Sequence, residues 1–210
     1  MLDTILFDLD GTLLPLDMKR FTDIYFREIG EMFKDIIDPK LLAKNIWTAT
    51  QEMMRNIEYR TNEEVFMENF SRLVGKDFDK YLERFDKFYD TGFLRTREAV
   101  EEQGLIRKSI EILKKKNYKL VIATNPLFPR KAIHHRIKWA GLKLEDFELV
   151  TTYEESHFCK PHVQYYEEIL SKIGKKPEQC LMVGNDVQED LAAAKLGMAT
   201  FLITNHMIHR

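Results

Sequence analysis

Asp8 and Asp10 close a short apolar run, Thr4 to Phe7, and are followed at once by Gly11 and Thr12. Two carboxylates at this spacing can divide a reaction between them, one attacking an electrophile and the other moving a proton. They also repel each other and resist burial, so something must compensate them. Other apolar runs end in the same way. Thr124 and Asn125 follow "LVIA", Lys160 stands before Pro161 after the stretch that leaves "FELVTT", and Asn185, Asp186 and Asp190 follow "CLMV". One acid after a strand is ordinarily a turn residue or a helix cap. Four acids, a hydroxyl and a lysine at four such ends point to one shared site. Two unit charges 4 Å apart repel by about 4 kcal/mol at an effective dielectric of about 20, and by this reading one lysine is too little to offset four acids. An all-oxygen set suits Mg²⁺, which pairs carboxylates with a substrate phosphate. The set contains no histidine, which argues against zinc.

A parallel sheet is what would bring these ends together. From Leu105 onward helices and apolar strands alternate, with "KLVIAT", "FELVTT", "CLMV" and "TFLI" as strands and "TILF" as an earlier member. That rhythm predicts an α/β fold, a Rossmann-like core of about five parallel strands with ligands at the carboxyl ends of the strands. Helices are expected after Pro129 and Pro161, ending at Gly141 and Gly174, and another through Leu191 and Ala194 ending at Gly197. Between Met18 and Gly92 no strand is legible. Phe21, Ile24, Tyr25, Met32 and Phe33 recur at helical spacing, Pro39 starts a second helix, Thr61 to Glu64 is a capping box for a third, and Phe78, Tyr81, Phe85 and Phe88 mark a fourth. The expected organisation is a discontinuous core, residues 1–16 and 96–210, with a four-helix insert over 17–95. Hinges are expected near Leu14 to Asp17 and Thr91 to Thr96.

The motifs "DLDGTLL", "IATN", Lys160-Pro161 and "VGNDVQED", in this order, resemble those of the haloacid dehalogenase superfamily, subclass I with a helical cap, in its phosphoglycolate-phosphatase-like branch. The resemblance implies a Mg²⁺-dependent phosphatase acting on a small soluble phosphate monoester. Asp8 would be the nucleophile and Asp10 the general acid and base, with a pKa raised by Asp8. Mg²⁺ would be held by Asp8, the backbone carbonyl of Asp10 and Asp186. Thr124, Asn125 and Lys160 would meet the phosphoryl group, Lys160 also neutralising Asp8, while Asn185 and Asp190 would support from behind. The fourth motif departs from the family pattern at Asn185, where an acid is common. A phosphomutase, or a non-catalytic phosphate-binding regulatory protein, would use the same groups.

Composition narrows the rest. The chain has 210 residues, 44% hydrophobic and 31% charged, with a formal net charge of -2, which offers no electrostatic footprint for nucleic acid or an anionic membrane. No run reaches the roughly 18 apolar residues of a membrane helix, and the N-terminus has no signal core. A cytoplasmic protein is expected, with Cys159 and Cys180 as buried free thiols. Lys19, Arg20, Arg55 and Arg60 in the insert are candidates to meet a second acidic group on the substrate. His157 is expected as loop filler. His206 and His209, near the end of the chain, read as part of a solvated tail. Oligomeric state is not legible.

Overall fold

Thr4–Phe7 forms β1, and all four of its residues are buried because strands pair with it on both sides. In the computed structural model, which describes residues 1–101 and 104–210, the remaining strands are β2 (Lys119–Ile122), β3 (Leu149–Val150), β4 (Cys180–Gly184) and β5 (Ala199–Leu202). All pair in parallel, in the order β3-β2-β1-β4-β5. Near-continuous apolar runs are what a sheet covered on both faces requires. Leu6 is fully buried, in a cluster with Val121, Met182 and Tyr166. Ile5 and Phe7 point to the other face, toward Ile122, Ile133 and Ile137. Each such aliphatic side chain contributes about 1.5–3 kcal/mol on burial.

Register positions the site. Phe7 lies level with Ile122 in β2 and with Val183 in β4. Asp8 therefore leaves the sheet beside Ala123–Thr124 on one side and Gly184–Asn185 on the other. Helix α5 (Leu105–Lys115) leads into β2, and α6 (Arg130–Trp139) and α7 (Val163–Ile173) connect the later strands. Helix α7 ends at Gly174, whose φ of 63° is a left-handed cap that a side chain would strain.

Of the α-helices between β1 and β2, the first four form a separate layer: α1 (Met18–Phe33), α2 (Pro39–Arg55), α3 (Asn62–Val74) and α4 (Phe78–Asp90). The Thr61–Glu64 capping box is formed, and Pro39 starts α2 behind an Asp38 cap. Their apolar stripes meet in an aromatic cluster around Phe21, Tyr25, Phe33, Phe70, Phe85 and Phe88. The chain enters and leaves this layer side by side. Leu16 bridges Val100, Asp17 N–H donates to Ala99 at 3.0 Å, and Glu101 N–H donates to Pro15 at 3.0 Å.

Two expected elements differ. "FELVTT" is a strand over two residues only, because pairing with β2 is confined to Val121–Leu149 and Ile122–Val150, and Thr151 instead sends its hydroxyl to Thr124 O at 2.7 Å. The helix through Leu191 and Ala194 is a 3₁₀ helix, Asp190–Leu196. Its first turn is engaged from outside: the Tyr166 hydroxyl donates to Glu189 O at 2.7 Å, and the Asp190 side chain is held at the sheet edge. Among the described residues no helix is long and apolar enough to cross a membrane.

Candidate active site

Asp8 ends β1 with its carboxyl facing Lys160, whose Nζ donates to Asp8 Oδ1 at 2.8 Å and to Asp190 Oδ1 at 2.6 Å. All three side chains are buried. Burial works against the Lys160 ammonium, but Asp190 and Asp8 outweigh it and hold its pKa well above the usual lysine value. Asp8 is pushed up to about 7, chiefly by burial, with Lys160 opposing and Asp190 adding to the rise. Asp190 also accepts the Asp186 N–H at Oδ2, at 2.9 Å. Gly184 makes that possible, since a Cβ there would stand 2.0 Å from Asp190 Oδ2.

Thr124 and Asn125 follow β2, as expected. The Thr124 carbonyl accepts from the hydroxyls of Thr151 and Tyr165, at 2.7 and 2.8 Å, which fixes the loop beside Asp8. Both ends of the Asn125 amide are engaged within the protein: Oδ1 accepts the Lys160 N–H at 3.1 Å, and Nδ2 donates to Glu189 at 3.0 Å. Asn125 thus ties the Lys160 loop to the loop after β4. Asn185 braces in the same manner, taking the Thr12 hydroxyl at 3.1 Å and donating to His206 O at 2.7 Å. Gly11, at φ 84°, packs directly on it.

Asp10 lies apart from the lysine. Its Oδ2 is ion-paired with Nη1 of Arg136, a residue of α6 only 1% exposed, whose guanidinium carbon lies 4.6 Å from the centre of the Phe128 ring. Asp10 Oδ1 is buried and has no hydrogen-bond partner. The Asp10 pKa is raised, but the cause differs from the expected one: burial raises it against the pull of Arg136 and Lys160. Arg136 was not among the residues singled out in the sequence, although a signal existed. It shares the buried face of α6 with Ala132, Ile133 and Ile137, and a cation inside an apolar stripe demands a partner.

The end of the chain is engaged as well, although His209 itself is exposed. Rather than a solvated tail, residues 204–210 lie across the loop after β4. Ile208 bridges Asp186, and Arg210 Nη2 stands 2.9 Å from Asp186 Oδ2. The sequence reading counted one lysine against the four acids; Arg136, paired with Asp10, and Arg210, paired with Asp186, add two further cations.

Asp186 accepts the Gln188 and Glu189 N–H groups at Oδ1, both at 2.9 Å, while its buried Oδ2 receives no hydrogen bond. Among the described residues no three acidic, histidine or cysteine side chains converge on a point that could hold an ion, and the Asp10 side chain faces Arg136. The carboxylates of Asp8 and Asp186 are hard oxygen donors, and Asp186 Oδ2 is met only by the guanidinium of Arg210, an exposed side chain, at 2.9 Å. These residues fit Mg²⁺ bound by few protein ligands.

Lys19, Arg20, Arg55 and Arg60 do not reach the site. Each pairs with an acid of its own surface: Asp23 at 2.8 Å, Glu98 at 3.9 Å, Glu52 at 3.1 Å and Glu68 at 2.7 Å. His157 is more than filler, since it stacks on Tyr59 at 3.9 Å and joins Glu168 at 2.8 Å. Cys159 and Cys180 are buried and free. The start of α3 docks on the loops after β2 and β3, with Asn62 N–H donating to Ser156 O at 2.8 Å and Asn62 Nδ2 to Pro126 O at 3.3 Å.

These features describe an open α/β protein whose acids and one buried lysine meet at the carboxyl edge of the sheet, beneath a helical layer. Residues 2–197 match the haloacid dehalogenase-like hydrolases, and the chain belongs to that family of enzymes. The pyrophosphatase PpaX of Bacillus cereus is 25% identical over 203 residues, 97% of this chain and 83% of that protein. The glyceraldehyde 3-phosphate phosphatase of Methanothermobacter thermautotrophicus is 34% identical over 103 residues, 45% of this chain and 41% of that protein. Among solved structures, a HAD phosphatase from Thermococcus onnurineus superposes with a TM-score of 0.62 at 19% identity, covering 100% of this chain and 89% of its own. Bacillus subtilis YfnB, bound to magnesium, gives 0.57 at 23% identity, covering 96% and 88%.

Proposed function

We propose that the protein is a Mg²⁺-dependent phosphatase that hydrolyses a small phosphate monoester through an aspartyl-phosphate on Asp8. The observation that carries this reading is the division of labour between two neighbouring acids. Asp8 is held by Lys160 and Asp190, whereas Asp10 is held at one oxygen by Arg136 and keeps the other unpaired. The Asp8 carboxylate attacks phosphorus, and the bond to the ester oxygen breaks as that oxygen takes a proton from Asp10. Asp10, now ionised, removes a proton from water as the water attacks the aspartyl-phosphate. The phosphorus–Asp8 bond breaks and phosphate leaves. The raised Asp10 pKa supports the acid form that the first step needs, and Arg136 steadies the carboxylate formed after it.

Lys160 offsets charge on Asp8 and on the phosphoryl oxygens, and Asp190 aims its ammonium. The Thr124 hydroxyl and the amides of Leu9 and Asp10 complete the phosphoryl cradle, with Asn125 and Asn185 as braces behind it. Asp8, Asp186 and the Asp10 carbonyl would hold Mg²⁺, which supplies neutralisation of the phosphoryl charge. Residues 17–95 would act as a cap that excludes water. The unpaired cysteines support a reducing compartment such as the cytoplasm.

The test is phosphate release from a generic aryl phosphate with and without Mg²⁺, in the wild type and in Asp8→Asn. Metal-dependent release that disappears in the variant, at unchanged circular dichroism, is the expected result. Substantial turnover by Asp8→Asn would remove Asp8 as the nucleophile.

A further inference from the structure

Directly above Asp10, between the helical layer and the loop after β2, lies a cavity of about 230 Å³. Phe21, Tyr25, Phe26, Phe66, Trp47 and Phe128 line it, with further aliphatic and aromatic side chains between them. Its polar groups are Asp10 and the hydroxyls of Thr22, Thr50 and three tyrosines. Two of those hydroxyls, on Tyr25 and Tyr89, bond to each other at 3.2 Å. Among the described residues no lysine, arginine or histidine lines this space. The four basic residues of the helical layer that might have entered it are paired on the outside.

Such a chamber discriminates by desolvation. A carboxylate or a second phosphate placed there would lose its water and meet no cation in the lining, since Arg136 lies over the Phe128 ring and is paired with Asp10. An uncharged ring would gain in proportion to the apolar surface it removes from water. The size suits such a group, since a cavity of about 150 Å³ takes a benzene ring. Another depression that touches Asp10, formed with residues 206–208, is lined by Asp17 and Glu101. Among the described residues its one basic group is His206, 3.6 Å from Glu101, so it offers an anion no better home.

We propose that the cavity above Asp10 receives the leaving group of the substrate, and that this group is uncharged and apolar, with room for an aromatic ring. The protein would therefore favour aryl-bearing monoesters over pyrophosphate and over esters of small hydroxy acids. This rests on the phosphatase reading for its chemistry, with Asp10 giving its proton to the oxygen that departs.

The decisive comparison uses 2-naphthylmethyl phosphate, 2-phosphoglycolate and pyrophosphate with Mg²⁺. The first two both release an alkyl alcohol, so intrinsic reactivity does not separate them by much. The expected result is a kcat/KM at least 100-fold higher for the naphthyl ester than for either of the others. Comparable or faster turnover of phosphoglycolate or pyrophosphate would overturn the proposal. A second arm does not depend on catalysis: binding of 2-naphthylmethanol followed by its fluorescence. Saturable binding is expected, weakened at least 10-fold in Thr50→Arg, which brings a cation to the wall, and in Trp47→Ala, a side chain exposed enough to remove without unfolding. Failure of the alcohol to bind, or binding indifferent to both substitutions, would overturn the proposal. If the alcohol binds as expected and no ester is hydrolysed, the pocket assignment stands and the phosphatase reading falls.

Discussion

Arg136 holds one oxygen of Asp10 and leaves the other buried without a partner, at the boundary between the acidic sheet edge and the aromatic cavity. The two residues are 126 positions apart. Their pairing makes the two Asp10 oxygens inequivalent, because one is fixed against α6 and the other has no hydrogen-bond partner.

Removing Arg136 should therefore damage both fold and function. Breaking a buried ion pair from one side costs about 3–5 kcal/mol, because the remaining charge is stranded. Arg136→Met is expected to lose stability on that scale in urea unfolding and to lower kcat. Full stability in Arg136→Met would mean that the pair contributes no more than a surface contact.

Gly184 offers a way to disturb Asp190 without altering it. A methyl group there would collide with the Asp190 carboxylate, and overpacking of this kind costs about 1–3 kcal/mol. Gly184→Ala should lower kcat at least 10-fold by moving Asp190 away from Lys160, while the protein still folds. Wild-type kcat in this variant would dissociate Asp190 from the alignment of Lys160.

Acid stability should depend in part on Glu168. It accepts the His157 backbone N–H at 3.0 Å and pairs with Lys172 at 2.6 Å. Burial raises its pKa, but Lys172 and His157 together pull it below the ordinary 4.5. The unfolded chain then binds the proton more readily than the folded one. The stabilisation is complete above about 4.5 and is lost as pH falls toward the depressed folded value. Glu168→Gln should be less stable than wild type at neutral pH and show a shallower decline below pH 4.5. Parallel stability curves against pH would contradict this.

Neither thiol should react in the native protein. Burial pushes Cys180 up to about 11 and Cys159 higher still, and the thiolate is the reactive form. A thiol-specific reagent at pH 8 should modify both cysteines only on addition of denaturant. Rapid modification of either in buffer would show that the region opens readily.

Much of the sheet edge was legible because its determinants are local. Apolar runs announce buried strands, and the residues that follow them must emerge at one edge if the strands are parallel. Asp8, Thr124, Lys160, Asn185 and Asp190 are found there for that reason. The Thr61 capping box and the Gly174 stop were legible on the same local grounds. The fate of the polar side chains was less so. Asn125 carries the same amide whether it meets a phosphate or braces a neighbouring loop, and only the arrival of Glu189 and the Lys160 N–H spends both of its ends.

The sequence by itself determined the order of strands and helices, the acids at the strand ends and the family, all of which follow from residue type and near-neighbour spacing. Tertiary structure decided which charges neutralise which, that Arg136 and Arg210 join the acids, that the surface cations of the helical layer stay outside, and that an uncharged aromatic chamber stands over Asp10. Those outcomes depend on contacts between residues far apart in the chain. Charge compensation and desolvation act through space, so they take effect only once the sheet register and the docking of the helices have set the distances.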